Sequence, residues 1–275
     1  MRKIAIVGAG GKMGCRITDN LKDSGYNMSY LEISPDGIQR LAERGISVSS
    51  ESNTIPYADA VILAIPDVAL GEVSTRIIPL MKSGAMVILL DPAVILAGKI
   101  YMHDDISYFV THPAHPSVFN WEPTQEAQKD FFGGKLAKQC IVCALMQGDE
   151  KDYVTGEELA RRMYAPVCKA YRITVEQMGL LEPALVETLS STCMTIIREG
   201  LDEVIRLGVP AEAAREFLLG HLNIQLAVIF NELPGAVFSD AANKAISRGK
   251  PILFKEGWQK IFEPENVLEQ VKDIT

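Results

Sequence analysis

The sequence predicts an α/β chain in which a doubly wound parallel sheet of the Rossmann type is followed by an all-helical domain. Two observations carry this. Short, strongly apolar segments alternate with amphipathic helical ones through the first part of the chain, starting with IAIVGAGGKMG at 4–14. Strands that are apolar on both faces belong in a parallel sheet covered by helices. Near residue 175 the alternation stops, and two long helical stretches follow: ALVETLSSTCMTIIREGLDEVIRLG and PAEAAREFLLGHLNIQLAVIFNEL. Gly208 closes the first, and Pro210 opens the second at a position typical of helix starts. The expected domains are residues 1–174 and 175–275.

The first strand breaks into glycines at 8, 10, 11 and 14. Bare backbone at such a turn approaches a pyrophosphate closely, and the free N–H groups of the next helix face its charge. Met13 stands where a strict GxGxxG has its third glycine, so Gly8-x-x-Gly11-x-Met13-Gly14 reads as a variant with one extra residue. Gly8, Gly10, Gly11, Lys12, Met13 and Gly14 are the expected dinucleotide-binding turn. NMSYLEISPDG is the second strand. Its Glu32, about 18 residues past Gly14, is placed to accept from ribose hydroxyls and to repel a 2′-phosphate. Ser34, Pro35 and Asp36 follow where a phosphate would need an arginine, so NAD is expected over NADP.

PDGIQRLAERG then has helical spacing, and ISVS reads as a short third strand. ADAVILAIPD is the fourth, closed by Pro66 and Asp67. GEVSTRIIPLMKSG is a helix, AMVILLDPA the fifth strand and ISYFVTHPAHP the sixth. QCIVCALMQG and KAYRIT are later strands, with the helix TGEELARRMYAPV between them.

The bulk numbers narrow the function. With 275 residues, 48% of them hydrophobic, there is core enough for two modest domains. A net charge of −8 without a dense Lys/Arg cluster argues against nucleic acid. No apolar run approaches a membrane span, and a first strand at Lys3 leaves no room for a leader. Cysteines 15, 140, 143, 168 and 193 follow no disulfide framework. Cys140-x-x-Cys143 lies within an apolar strand and reads as packing rather than redox or zinc chemistry. The cytoplasm is the expected compartment.

Ligands of open parallel sheets collect at the carboxyl ends of the strands. Pro66 turns the chain outward there, and Asp67 either bonds the cofactor or caps the next helix. THPAHPSVF holds two of the four histidines, His112 and His115, each stiffened toward extended backbone by the proline that follows. Two imidazoles on such a loop present two metal ligands, or one ligand and one acid/base. GLLEPALVET carries Glu182 and Glu187 at the start of the helical domain. Glu182 also suits a helix N-terminus, and a spacing of five is not the i,i+4 of an α-helix. In GHLN, His221 and Asn223 need partners, either a substrate, one reached from another subunit included, or a structural hydrogen bond. His103, beside two aspartates, reads as surface.

VGAGGKMG, LEISPDG, LAIPD, HPAHPSVF, AKQCIVCALMQG, EQMGLLEPALVE and GHLN together resemble the D-apionate oxidoisomerases over most of the chain. HPAHP and LLEPALVE are the most specific of these. The resemblance implies NAD dependence, a 6-phosphogluconate dehydrogenase-like helical domain and a bound divalent metal. It also implies oxidation of a branched sugar acid, D-apionate, and rearrangement to 3-oxo-isoapionate. Related β-hydroxyacid dehydrogenases carry a catalytic lysine near the start of the long helix, where this chain has only the two glutamates. A ketol rearrangement needs a carbonyl polarised while a neighbouring hydroxyl loses its proton, which a divalent cation promotes as a Lewis acid. His112 with Glu182 or Glu187 is the expected ligand set, suited to zinc or another borderline metal. His112, His115 and Glu187 are the candidate catalytic groups. A decarboxylating 3-hydroxyacid dehydrogenase is the alternative enzyme, and a non-catalytic NAD(H) sensor the alternative of another class. The apolar surface of the helical part, notably IQLAVIF at 224–230, predicts a homodimer.

Overall fold

The computed structural model describes residues 2–275. The strands are β1 (Lys3–Val7), β2 (Asn27–Leu31), β3 (Ala60–Leu63), β4 (Met86–Leu89), β5 (Ser107–Pro113), β6 (Gln139–Gln147) and β7 (Val167–Arg172). Among them run α1 (Lys12–Leu21), α2 (Pro35–Ala42), α3 (Asp67–Ile77), α4 (Ala93–Leu96), α5 (Gln125–Gln128) and α6 (Glu150–Met163). After β7 come α7 (Val175–Gly179), a π-helical segment (Leu180–Ser190), α8 (Ser191–Arg206), α9 (Ala211–Ile229), α10 (Asp240–Leu253) and α11 (Pro264–Ile274).

All seven strands form one sheet in the order β2-β1-β3-β4-β5-β6-β7. Successive side chains of a strand point to opposite faces, and the core divides accordingly. Leu63, Leu89, Val110 and Met178 pack on one face, while Ile62, Ile88, Phe109, Ile17 and Leu159 pack on the other. This is the double cover that the apolar strands predict.

Three expectations change. ISVS is not a strand: it lies outside edge strand β2, Val48 is exposed, and one bond from Ser49 N–H to Tyr30 O ties it down. The IPD segment therefore follows the third strand, and HPAHP begins within the fifth, so that His112 is a strand residue and only His115 lies in the loop. The sheet is not wholly parallel either. β6 runs antiparallel to β5, and β7 parallel to β6, because the long loop after β5 returns at the edge it left instead of crossing over through a helix. Finally, helix begins at Val175 and not at Pro183, and it continues to Arg206. A proline inside a helix lacks the N–H for the i−4 bond, and Pro183 lies in the π-helical stretch, where the bonding pattern is altered. By length and composition alone this stretch could cross a membrane, which a start at Pro183 conceals. Long helices packed against other helices meet the same criterion.

The chain forms two compact units. One holds the residues up to Leu181 together with Leu268–Thr275, and the other is Glu182–Val267. In the second unit α8 packs on α9, yet α8 buries no residue and α9 buries only Ala214.

Candidate active site

The glycine turn is built by contact. Gly8 has a left-handed φ of 78°, and a Cβ there would lie 2.5 Å from Ala64 O. At Gly14 a Cβ would lie 2.0 Å from Gly8 O, so helix α1 rests directly on the end of β1. Gly14 thus has the helix–strand packing role of the third glycine, one residue later than in the strict spacing. Gly10 is forced by the backbone of Gly37, 2.2 Å from its would-be Cβ. Gly11 is the N-cap of α1 and carries no capping side chain. Met13 packs against the core, while Lys12 Nζ and the Arg16 guanidinium each lie 4.5 Å from the centre of the Phe132 ring.

Glu32 stands at the end of β2 beside this turn. Its carboxylate accepts from Gly10 N–H at 2.9 Å, Ile33 N–H at 2.8 Å and Ser34 N–H at 2.9 Å. The group braces the turn as well as facing it. Arg40 Nε donates to Gly10 O at 2.7 Å, a second brace that the sequence alone gave no reason to single out.

The strand register assembles the next part. Val7, Leu63, Leu89 and Val110 are aligned across β1, β3, β4 and β5. Two residues further along β4 and β5 stand Asp91 and His112, and Asp91 Oδ2 lies 3.8 Å from His112 Nδ1. His112 Nδ1 is also 2.8 Å from Leu90 O. A carbonyl only accepts, so Nδ1 carries the proton and the neutral ring has its lone pair on Nε2. Asp91 Oδ1 in turn accepts from Ala93 N–H at the start of α4, at 2.7 Å. Pro66 is the N-cap residue of α3, and Asp67 is its first helical residue. Burial and the nearby Asp91 carboxylate push the Asp67 carboxyl up to about 6, with His112 pulling the other way. Asp67, Asp91 and His112 therefore share one pocket of field. Asp91 was missed; the signal lay in LLDPA, an aspartate ending a fully apolar strand.

His115 is not extended as its following proline predicts: its φ is 59°, in the left-handed region. Its Nδ1 lies 2.8 Å from Phe132 O, and its ring meets Phe132 edge-on at 5.8 Å. Its centroid is 6.4 Å from that of His112. The tie to Phe132 holds the residue in an otherwise costly conformation, and Phe132 links it to Lys12 and Arg16.

Glu182 and Glu187 lie in the π-helical segment. A helix closed by i→i+5 hydrogen bonds brings residues five apart nearer to one face than an α-helix does; Glu182 is half-buried and Glu187 exposed. Among the described residues no three His, Cys, Asp or Glu groups form a ready cage for a metal. His221 Nδ1 bonds its own helix at Phe217 O, 2.7 Å away, and the two rings stack at 4.1 Å. His221 and Asn223 are both exposed. His103 is half-buried, and its Nδ1 accepts from Asp105 N–H.

Comparison with known proteins places this geometry. Residues 1–122 match the family described as acetohydroxy acid isomeroreductase, NADPH-binding domain, and residues 120–275 match phosphogluconate dehydrogenase (decarboxylating) C-term. A D-apionate oxidoisomerase of Cupriavidus necator is 50% identical over 274 residues, 99% of each chain. The chain belongs to the D-apionate oxidoisomerase family. A second member, from Rhizobium rhizogenes, is 47% identical over the whole of both chains. Membership makes the chain an oxidoreductase, with an N-terminal Rossmann-like domain and a phosphogluconate dehydrogenase-like helical part, as the motifs predict. A crystal structure described as a semialdehyde dehydrogenase NAD-binding protein from Cupriavidus necator, in complex with calcium and NAD, superposes over all of both chains. Its TM-score is 0.98 and its identity 49%.

Proposed function

We propose that this oxidoisomerase oxidises D-apionate with NAD and rearranges the ketone to 3-oxo-isoapionate. The observation that carries the reading is the Asp91–His112 pair, brought by strand register to the sheet edge that also holds the glycine turn. The dinucleotide fits: Gly8 and Gly14 leave no room for side chains at the turn, and N–H groups of α1 point outward from it. Glu32, already anchored by backbone, favours a free ribose hydroxyl over a 2′-phosphate.

His112 Nε2 is the base for the substrate hydroxyl, and Leu90 O and Asp91 fix the ring's orientation and offset the positive charge it gains. His115, held by Phe132, is the second proton-handling group. The donors we propose for a divalent cation are Glu182 and Glu187 with the His112 imidazole, a mixed oxygen and nitrogen set. Because the single lone pair on His112 Nε2 cannot hold a cation and take a proton at once, His115 is the proton acceptor whenever His112 is a ligand. Zinc is our choice for that mixed set, with the calcium of the related crystal structure pointing to a harder ion. When bound, the cation polarises the ketone oxygen. Glu187 is the other candidate acid/base.

The enzyme works, in this reading, as a cytoplasmic homodimer. Two helices of the second unit that bury almost nothing need a cover, and five free cysteines suit a reducing compartment. The test is NADH formation from NAD and D-apionate, with the product identified as the rearranged keto acid. His112→Ala should abolish turnover and lower metal content while NAD binding survives. Turnover of a different sugar acid alone rejects the substrate, and carbon dioxide release favours the decarboxylating alternative.

A further inference from the structure

The short strand β7 carries a cysteine that the site does not use. A bulge shifts the β6–β7 register, so that Gln139 faces Val167 while Cys140 faces Lys169. The extra residue is Cys168, and its Sγ lies 3.1 Å from Cys140 Sγ. Cys15 and Cys143 are buried, whereas Cys168 is exposed and Cys140 half-buried. A disulfide has its sulfurs about 2.05 Å apart, so the pair closes with a movement of about 1 Å. Its place matters. Cys140 O accepts the Ala114 N–H at 2.9 Å, and Ala114 lies between His112 and His115.

We propose that Cys140 and Cys168 are a reversible dithiol–disulfide site, oxidised by a peroxide, whose closure draws Cys140 toward β7 and strains its bond to the histidine loop. The exposed Cys168 sulfur attacks the peroxide, the O–O bond breaks, and a sulfenic acid and one water result. The Cys140 sulfur then attacks that sulfur; the S–S bond forms, the S–O bond breaks and the second water leaves. Two thiols and one hydrogen peroxide give one disulfide and two waters, the sulfurs losing two electrons to the peroxide. Burial and the adjacent Cys168 raise the Cys140 thiol above its ordinary value, which leaves Cys168 to react first. A transient bridge of this kind is the form disulfides take in reducing compartments.

The experiment treats the full-length reduced enzyme with hydrogen peroxide and reads intact mass, disulfide-mapped peptides and turnover. The expected result is a mass lower by two hydrogens, one bridge joining the Cys140 and Cys168 peptides, and turnover reduced several-fold, all reversed by dithiothreitol. Cys168→Ser and Cys140→Ser should each prevent the bridge, and Cys168→Ser should keep its turnover under peroxide. Cys168 found as sulfinic acid beside a Cys140 thiol, or bridged to a second molecule, overturns the site. A mapped bridge with unchanged turnover overturns the link to the loop. The mass readout is independent of the substrate, whereas the turnover readout rests on the reaction proposed above, so the two failures are told apart.

Discussion

Asp91 Oδ2 lies 3.8 Å from His112 Nδ1 while the same ring nitrogen is 2.8 Å from Leu90 O. The carbonyl fixes the tautomer, and the carboxylate supplies the charge. Asp91→Asn keeps the cap on α4 and the shape of the site but removes that charge. Turnover should fall by about 10–100-fold, the range for partners that orient a working histidine, with KM for NAD unchanged. Steady-state kinetics with NAD and substrate varied separately checks this. An equal loss in Asp91→Asn and in NAD affinity would mean that the residue only holds the fold.

Asp67 gives a pH signature. Its carboxyl titrates near 6 in the folded chain against 3.8 ordinarily, so the charged form is the disfavoured one. The sign follows: folding is unhindered by this group below pH 3.8 and loses stability as pH rises through about 6. Asp67→Asn should therefore be more stable than the natural chain at pH 7, by on the order of 1 kcal/mol once solvent screening of a half-exposed group is allowed for. The gap should narrow toward pH 4. Urea unfolding across that range measures it, and a pH-independent gap would refute the burial argument.

Gly14→Ala places a methyl against Gly8 O, at 2.0 Å before relaxation. Because the contact is backbone on backbone, α1 must lift from the sheet. The expected cost is about 2–4 kcal/mol, with NAD binding lost in any fraction that stays folded. Thermal melts with and without NAD read both effects.

Glu32→Ser should narrow the preference for NAD over NADP by removing the charge that opposes a 2′-phosphate. It also strips three backbone N–H groups of their acceptor, so KM for both cofactors should rise. The kcat/KM ratio for the two cofactors separates these effects. An unchanged ratio with a raised KM for both would leave Glu32 as a brace alone.

Phe217 is 71% exposed and Phe230 64% exposed on α9 and at its end. Between α8 and α9 runs an apolar groove of about 620 Å³, lined by Val204, Phe217 and His221 among others. If a second copy covers this surface, Phe217→Asp should shift the protein from dimer to monomer in light scattering.

What could be read from the chain followed a physical divide. The glycine turn, Glu32 and the HPAHP segment were legible because local sequence encodes them: backbone clearance, a strand end, and two histidines in one short run. Asp91 was not, because its value comes from lying beside His112 across two strands, and a register is invisible in one sequence. The local geometry around Glu182 and Glu187 was hidden for another reason. A spacing of five reads as two faces in an α-helix and comes nearer to one face only where the hydrogen bonds widen to i→i+5. His115 shows a tertiary bond overriding a local rule, since the tie to Phe132 O wins over the preference that Pro116 imposes. ISVS failed because only Ile46 packs on the core while Val48 faces solvent, and a single bond from Ser49 to Tyr30 O does not make a ladder. The cysteines misled through spacing: Cys143 is indeed a packing group, but Cys140 meets Cys168 on the next strand.

The reversal of β6 has a consequence for how such an enzyme changes. Pro113 pairs with Ile141, so the segment 114–138 departs from and comes back to one edge of the sheet, with both feet planted beside the histidines. Residues added or removed at its far end, around the exposed Trp121, leave the strand register and the Phe132 tie to His115 untouched. The tip of this segment is thus free to change shape and length while the strands that carry His112 and lead to Asp91 stay fixed.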